Sequence, residues 1–471
     1  MTEKPLWQLS ACELATLISD GRISAREAVT AAVDRMRERN GAINAVVDDL
    51  GDEAIAEAKT LDEALKSSGP VGPLHGVPVT IKENVDQTGR ATPNGVSAFK
   101  DIIAPADSPV VRNFKQAGAI VIGRTNTPEF SFRATTDNEL HGRTFNPWND
   151  WASAGGSSGG AAAAVMCGMG ALAHGNDIAG SLRYPPAATG SMSVKPGLGR
   201  VPAYNPSAAA ERGLLAQLMS VQGVIAREVR DVRLALRELM RPDPHDPWMV
   251  PVPFDGPALD GPIKVGFTKD MFEFEVHPAV EQALDTARDA LADAGYHVEE
   301  VEPPLIREIA AEAGQSLFGE VRTLLEDDIK RYGSETFKAI FQDYFRFFGS
   351  YEGADLARAL AKRTHYARQW SLFLEDYPLV LTPFLPQPTY SWNRDTEGLE
   401  GVSEVLGSAI YGASMNYLGL PAGNIAANYN DGLPVGVQII GRRFREDLIL
   451  DACEAVEQRI GVMAHKLFER G

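Results

Sequence analysis

The chain has 471 residues, enough for two or three average domains or for one large α/β domain. Its net charge of −18, with no basic patch, argues against a nucleic-acid partner, and a hydrophobic content of 44% is ordinary for a folded core. Cys12, Cys167 and Cys453 are too scattered for a disulfide framework or a zinc pair, the N-terminal stretch lacks a secretory apolar region, and the apolar run over 161–173 is too short and glycine-broken to cross a membrane. A cytoplasmic protein is therefore expected.

The first elements read as capped helices. Ser10 caps a helix over 11–19, and Ser24 with Glu27 forms a capping box for one over 25–39, in which Val29, Val33 and Met36 repeat at helical spacing. A strand over 44–47 and a helix over 52–67 follow. After a Gly/Pro break, 77–81 reads as a buried strand ending at Lys82, 110–117 as a helix and 119–123 as a strand. Residues 124–154 form a long polar loop, which Phe130, Phe132 and Trp148 favour as ordered. A helix over 160–168 and a strand over 171–174 come next.

Beyond 200 the signal is mixed up to a helix over 226–240. Strand 263–267, helix 277–294 and strand 296–301 then alternate as in a layered sheet. The stretch 308–348 is helical, and its Phe337, Phe341, Tyr344, Phe345 and Phe348 share one face, read as core packing ahead of substrate lining. Strands over 378–382 and 433–441 and a helix over 446–459 close the chain, with no internal repeat.

The stretch 154–183 holds most of the chemistry: two serine-bearing glycine loops, Gly155-Gly156-Ser157-Ser158-Gly159-Gly160 and Asp177-Ile178-Ala179-Gly180-Ser181, frame one helix and one strand. The lengths of the two legs match, so both serines are expected at one sheet edge, where α/β sheets bind ligands. A Ser-His-Asp triad from His174, Asp177 and Ser181 is disfavoured because all three lie in one short segment. The Gly-x-Ser-x-Gly letters lack the preceding strand of a nucleophile elbow, and no metal-ligand spacing exists. A serine–lysine pair remains. Free lysine is neutral in only roughly one molecule in 2,500 at pH 7, so Lys82 needs a downshift of about 3 units, costing about 4 kcal/mol, to serve as a base. The N–H groups over 178–181 can receive an oxyanion, each donor being worth about 3–4 kcal/mol in the transition state.

These stretches resemble the amidase signature family of serine hydrolases. The resemblance extends through Gly76-Val77-Pro78 with Lys82, the 123–130 and 142–148 motifs, Lys195-Pro196, Gly199-Arg200-Val201-Pro202, Gly419-Leu420-Pro421-Ala422 and 432–438, covering nearly the whole chain in order. It implies a single domain over 1–471, with a signature core near 70–205 and a variable substrate-cavity region near 206–400. The implied fold is α/β, a large mostly mixed central sheet with helices on both faces. It further implies a Ser-cisSer-Lys triad, with Ser181 the nucleophile, Ser157 the bridging serine after a cis bond and Lys82 the base. Ile178, Ala179, Gly180 and Ser181 would form the oxyanion hole, supported by Ser158, Asp177 and Arg183. Phe130, Ser131 and Phe132 would contact substrate. No metal or cofactor is implied; the partner is a small-molecule amide, and a homodimer is left open.

Ala179 departs from the family's usual glycine, so the turn there must tolerate a methyl group. Glu83 replaces a common aspartate, Val224 a common proline, and Tyr184 brings a ring near the pocket. The expected activity is hydrolysis of a carboxylic acid amide to acid and amine or ammonia. Alternatives are the glutaminase subunit of a transamidation complex, and a catalytically silent binding protein of the same fold.

Overall fold

The computed structural model describes residues 4–470. Eleven strands join in one mixed sheet: β1 (Val46–Asp49), β2 (Pro78–Lys82), β3 (Ile120–Thr125), β4 (Leu172–Asp177), β5 (Met192–Lys195), β6 (Val221–Ala226), β7 (Lys264–Phe267), β8 (His297–Glu300), β9 (Leu379–Pro383), β10 (Ala422–Asn430) and β11 (Leu433–Gly441). Their order is β1-β3-β2-β4-β6-β5-β10-β11-β9-β7-β8. Two parallel groups, β3-β2-β4 and β9-β7-β8, flank an antiparallel centre.

Away from its edge strands both faces of the sheet are buried, which explains why β9 and β11 read as apolar runs. Successive side chains point to opposite faces. Leu172, Val224 and Ile425 thus enter a core cluster with the helices Ala25–Ile43, Val229–Leu239 and Glu446–Ile460. Their neighbours Ala173, Ile225 and Ala426 enter another, with residues of the helix Gly159–Met166. Val380 and Ile440 face a third cluster, built from the helices Ile306–Leu324 and Glu335–Phe348.

Helix starts follow the expected chemistry. Ser10 and Ser24 each form a complete capping box, with Glu13 and Glu27. The helical region after 300 divides into Ile306–Leu324, Glu326–Tyr332 and Glu335–Phe348, the last restarted by Ser334, whose hydroxyl accepts from the Phe337 N–H. Elements absent from the sequence reading include β5, β6, β10, the helices Leu214–Met219, Gly353–Asp376, Ile410–Leu418 and Met463–Phe468, and the short helix Tyr184–Thr189, which has two prolines in its first turn. The strand expected over 171–174 runs on to Asp177, so the serine turn starts directly at its end. Among the described residues no helix is long and apolar enough to cross a membrane.

Candidate active site

Three adjacent elements deliver the reactive groups. Val79 pairs with Leu172 and Thr80 with Ala173 across β2 and β4. Alternation along β2 therefore puts Lys82 on the face of Thr80 and Ala173, the face covered by the helix Gly159–Met166. This helix packs against β2, β4 and β6 and is buried at every residue. It lies so close to its neighbours that a Cβ at Gly160 would come within 2.6 Å of the Asn126 nitrogen and 2.8 Å of the Ala45 oxygen. The Gly156–Ser157 peptide just before it is cis. Ser181 follows the end of β4 by four residues, so the helix start and the strand end meet at one sheet edge.

There the side chains form a continuous line. Lys82 Nζ lies 2.7 Å from Ser157 Oγ, and Ser157 Oγ lies 3.0 Å from Ser181 Oγ. Lys82 Nζ also contacts Ser158 Oγ at 3.1 Å and Asn176 Oδ1 at 2.8 Å. Lys82 is fully buried, and burial lowers its pKa to about 7 against the opposing pull of Asp177 and Glu83. Ser181 keeps 9% exposure, enough for an opening to one side.

The turn after β4 is pinned by Asp177. Its carboxylate accepts from the Gly180 N–H at 2.7 Å, the Leu182 N–H at 2.9 Å, and Arg183 Nε and Nη2 at 3.1 Å each. Burial pushes this carboxyl up, but the Arg183 charge and these bonds outweigh it and hold the pKa below the ordinary value. Arg183 is anchored in turn by Gln438 Oε1 at 2.9 Å and by Asn416 Oδ1. Because Asp177 takes the Gly180 N–H, the donors over 178–181 without an acceptor among the described residues are those of Ile178, Ala179 and Ser181. Gly180 has φ +134°, a conformation only glycine adopts readily, whereas Ala179 is not among the positive-φ residues. The methyl group therefore sits where the backbone accepts it.

The remaining residues singled out from sequence divide into cavity, core and support. Phe130 and Ser131 have φ of 54° and 57°, two consecutive left-handed residues that turn the loop sharply. Phe130 is buried and stacks on Phe337 with ring centres 5.5 Å apart. Phe132 and Ile178 stay partly exposed and pack against the same aromatic cluster, Phe132 edge-on to Phe341 at 5.9 Å. Phe337, Phe341 and Tyr344 are core residues, at most 3% exposed, standing behind Phe130 and Phe132. Tyr184 is buried edge-on to Phe384, the two rings packing over Gly180, with its hydroxyl donating to the Val405 oxygen. His174 faces Gln222, with Nε2 and Oε1 2.9 Å apart, and burial drops its pKa to about 3. Glu83 accepts from the Gly95 N–H at 2.9 Å and lies 3.0 Å from His141 Nε2.

Asn176 and Asn84 escaped the sequence reading. They face each other through a reciprocal amide pair, at 2.9 and 3.2 Å, and Asn84 Nδ2 also donates to Ser131 Oγ at 2.9 Å. The available signal was positional: both are amides beside motif residues, Asn84 two after Lys82 and Asn176 one before Asp177.

The amidase family model matches residues 27–450. An indoleacetamide hydrolase of Bradyrhizobium diazoefficiens is 49% identical over 99% of this chain and 89% of its own length. One of the subunits of the glutamyl-tRNA(Gln) amidotransferase of Moorella thermoacetica is 32% identical over 96% of this chain and 97% of its own. Among solved structures, a bacterial aryl acylamidase of the amidase signature family superposes with a TM-score of 0.85 at 26% identity, covering 98% of this chain and 99% of that one. With the family model spanning most of its length, the chain belongs to the amidase signature family and is an amide hydrolase.

Proposed function

We propose that the protein hydrolyses the primary amide of an arylacetic-type acid, indoleacetamide being the reference substrate, to the free acid and ammonia. Support comes from the relative named indoleacetamide hydrolase, 49% identical over nearly the full chain. The partly exposed Phe132 and Ile178, which pack on the cluster that holds Phe130, are chemically suited to a flat ring. Three unpaired thiols suit a reducing cytoplasm.

The proposed mechanism uses Ser181, Ser157 and Lys82. Neutral Lys82 accepts the Ser157 proton while Ser157 accepts that of Ser181, and Ser181 Oγ bonds to the amide carbon. The N–H groups of Ile178, Ala179 and Ser181 are free to hold the oxyanion. The relay then runs backward to protonate the leaving nitrogen as the C–N bond breaks, and ammonia departs. Water, deprotonated through the same relay, releases the acid and restores Ser181.

The test is ammonia release from indole-3-acetamide, phenylacetamide, acetamide and glutamine by the parent and by Ser181→Ala. The reading expects preference for the two arylacetamides and loss of turnover in the variant. Preference for glutamine, with copurification of a second subunit, would favour the amidotransferase role carried by the 32% identical relative.

A further inference from the structure

The relay leaves Asn176 without a task, yet Asn176 supplies one of three oxygens around the base. The ammonium form of lysine has three donors, and Lys82 Nζ meets Ser157 Oγ at 2.7 Å, Asn176 Oδ1 at 2.8 Å and Ser158 Oγ at 3.1 Å. The neutral amine has two donors and a lone pair. Which oxygen loses its donor decides where the lone pair points. An amide oxygen has no proton, so Asn176 Oδ1 accepts in both states. Ser158 directs its hydroxyl proton to the Asn176 main-chain oxygen at 3.3 Å, so its Oγ also accepts from Lys82. Ser157 alone has a proton free to turn toward nitrogen, because its other neighbour, Ser181 Oγ at 3.0 Å, can donate back.

We propose that Asn176 is a positioning residue which, together with Ser158, aims the Lys82 lone pair at Ser157 and so sets the direction of the proton relay. The inference rests on the triad mechanism proposed above. The amide is held in the required orientation: its Nδ2 donates to Asn84 Oδ1 at 2.9 Å, and its Oδ1 accepts from Asn84 Nδ2 at 3.2 Å. A flipped amide would set N–H donors against an amine that also donates. The charged and titratable groups that act on Lys82 are Glu83, directly after its strand, and Asp177 on β4; His174, also on β4, feels Lys82 and, more weakly, Arg124 of β3. The covering helix, Gly159–Met166, contributes none. Asp177 is paired with Arg183, and Glu83 faces His141.

The experiment compares the parent with Asn176→Ala and Asn176→Asp, using phenylacetamide turnover and fluorophosphonate labelling of Ser181, both from pH 5 to 10. In Asn176→Ala, kcat falls about 10- to 100-fold with KM within about twofold. Its acid limb moves down by about half a pH unit or more, because the ammonium loses an acceptor. Asn176→Asp keeps an acceptor-only oxygen but adds negative charge, so its acid limb moves up by about one unit or more. Above that limb its activity returns to within about threefold of the parent. Three profiles that superimpose after scaling would overturn the assignment, as would Asn176→Asp performing no better than Asn176→Ala at high pH. Labelling or turnover that survives in Ser181→Ala would instead overturn the triad reading beneath it. Matched thermal melts establish that the variants are folded.

Discussion

Replacing Lys82 with methionine removes a buried charge while keeping a long, flexible side chain, and it should make the protein more stable as it makes it inactive. Burial lowers the Lys82 pKa from 10.5 to about 7, so below pH 7 the fold holds an ammonium at a cost of about 5 kcal/mol relative to the unfolded chain. Losing the three hydrogen bonds of Nζ offsets about 1–3 kcal/mol of that. A net gain of about 2–4 kcal/mol is expected at pH 6. The sign follows from proton counts. Between pH 7 and 10.5 the unfolded chain binds the proton and the folded one does not, so this group makes the parent more stable as pH rises, by up to about 1.4 kcal/mol per unit. The advantage of Lys82→Met therefore shrinks by roughly 3 kcal/mol from pH 7 to pH 9. Urea unfolding of both proteins across this range measures the difference, in which all other titrating groups cancel. A difference that stays constant with pH, or a variant less stable than the parent at pH 6, refutes the reasoning.

The same lysine sets the acid limb of activity: kcat/KM should fall about tenfold per unit below a midpoint near pH 7, read from initial rates in overlapping buffers. Gly160→Ala should lose about 3 kcal/mol or more, because its Cβ meets backbone atoms 2.6–2.8 Å away, and thermal melts will report it. Phe337→Ala should cost about 3–5 kcal/mol in urea unfolding, as the loss of a buried core ring. Phe132→Ala, at the partly exposed front of the same wall, should instead lower kcat/KM for phenylacetamide about 10-fold relative to acetamide while changing stability little.

The parts of the site legible in the sequence were those that local chain geometry controls. Ser157 and Ser181 stand at the two ends of a short helix–strand pair, so length and period were enough to suggest that they converge, whereas Lys82, at the end of a separate apolar strand, joined them through the family resemblance. Asn176 and Asn84 were not legible, because their partners lie 92 residues apart and an amide looks the same whether it faces water or another amide. The same limit applies to the fold. In β5 and β10, Met192-Ser193-Val194-Lys195 and Ala422-Gly423-Asn424 carry few β-branched residues, and their pairing with β6 and β11 supplies the preference that local sequence lacks. The Gly180 amide was expected to face substrate, and the Asp177 side chain that claims it arrives through a turn whose shape depends on Arg183, Gln438 and Asn416. No window of sequence contains all of these.

The aromatic wall has a consequence for how such a protein can change. Lys82, Ser157, Asn176 and Ser181 fall within one contiguous segment, whereas Phe337 and Phe341 belong to one helix, Glu335–Phe348, among those inserted between β8 and β9. The two meet through the Phe130–Phe337 stack, the Phe132–Phe341 edge contact and the hydrogen bonds from Ser334 to Glu129, while the inserted helices also pack broadly against the helices Leu214–Met219 and Ile410–Leu418. The insertion therefore carries the outer part of the aromatic wall on chain that holds none of those four residues. Substitutions at Phe337 and Phe341 would reshape the wall behind Phe130 and Phe132 while leaving Lys82, Ser157, Asn176 and Ser181 in register. Selection could then retune the substrate without having to rediscover the chemistry.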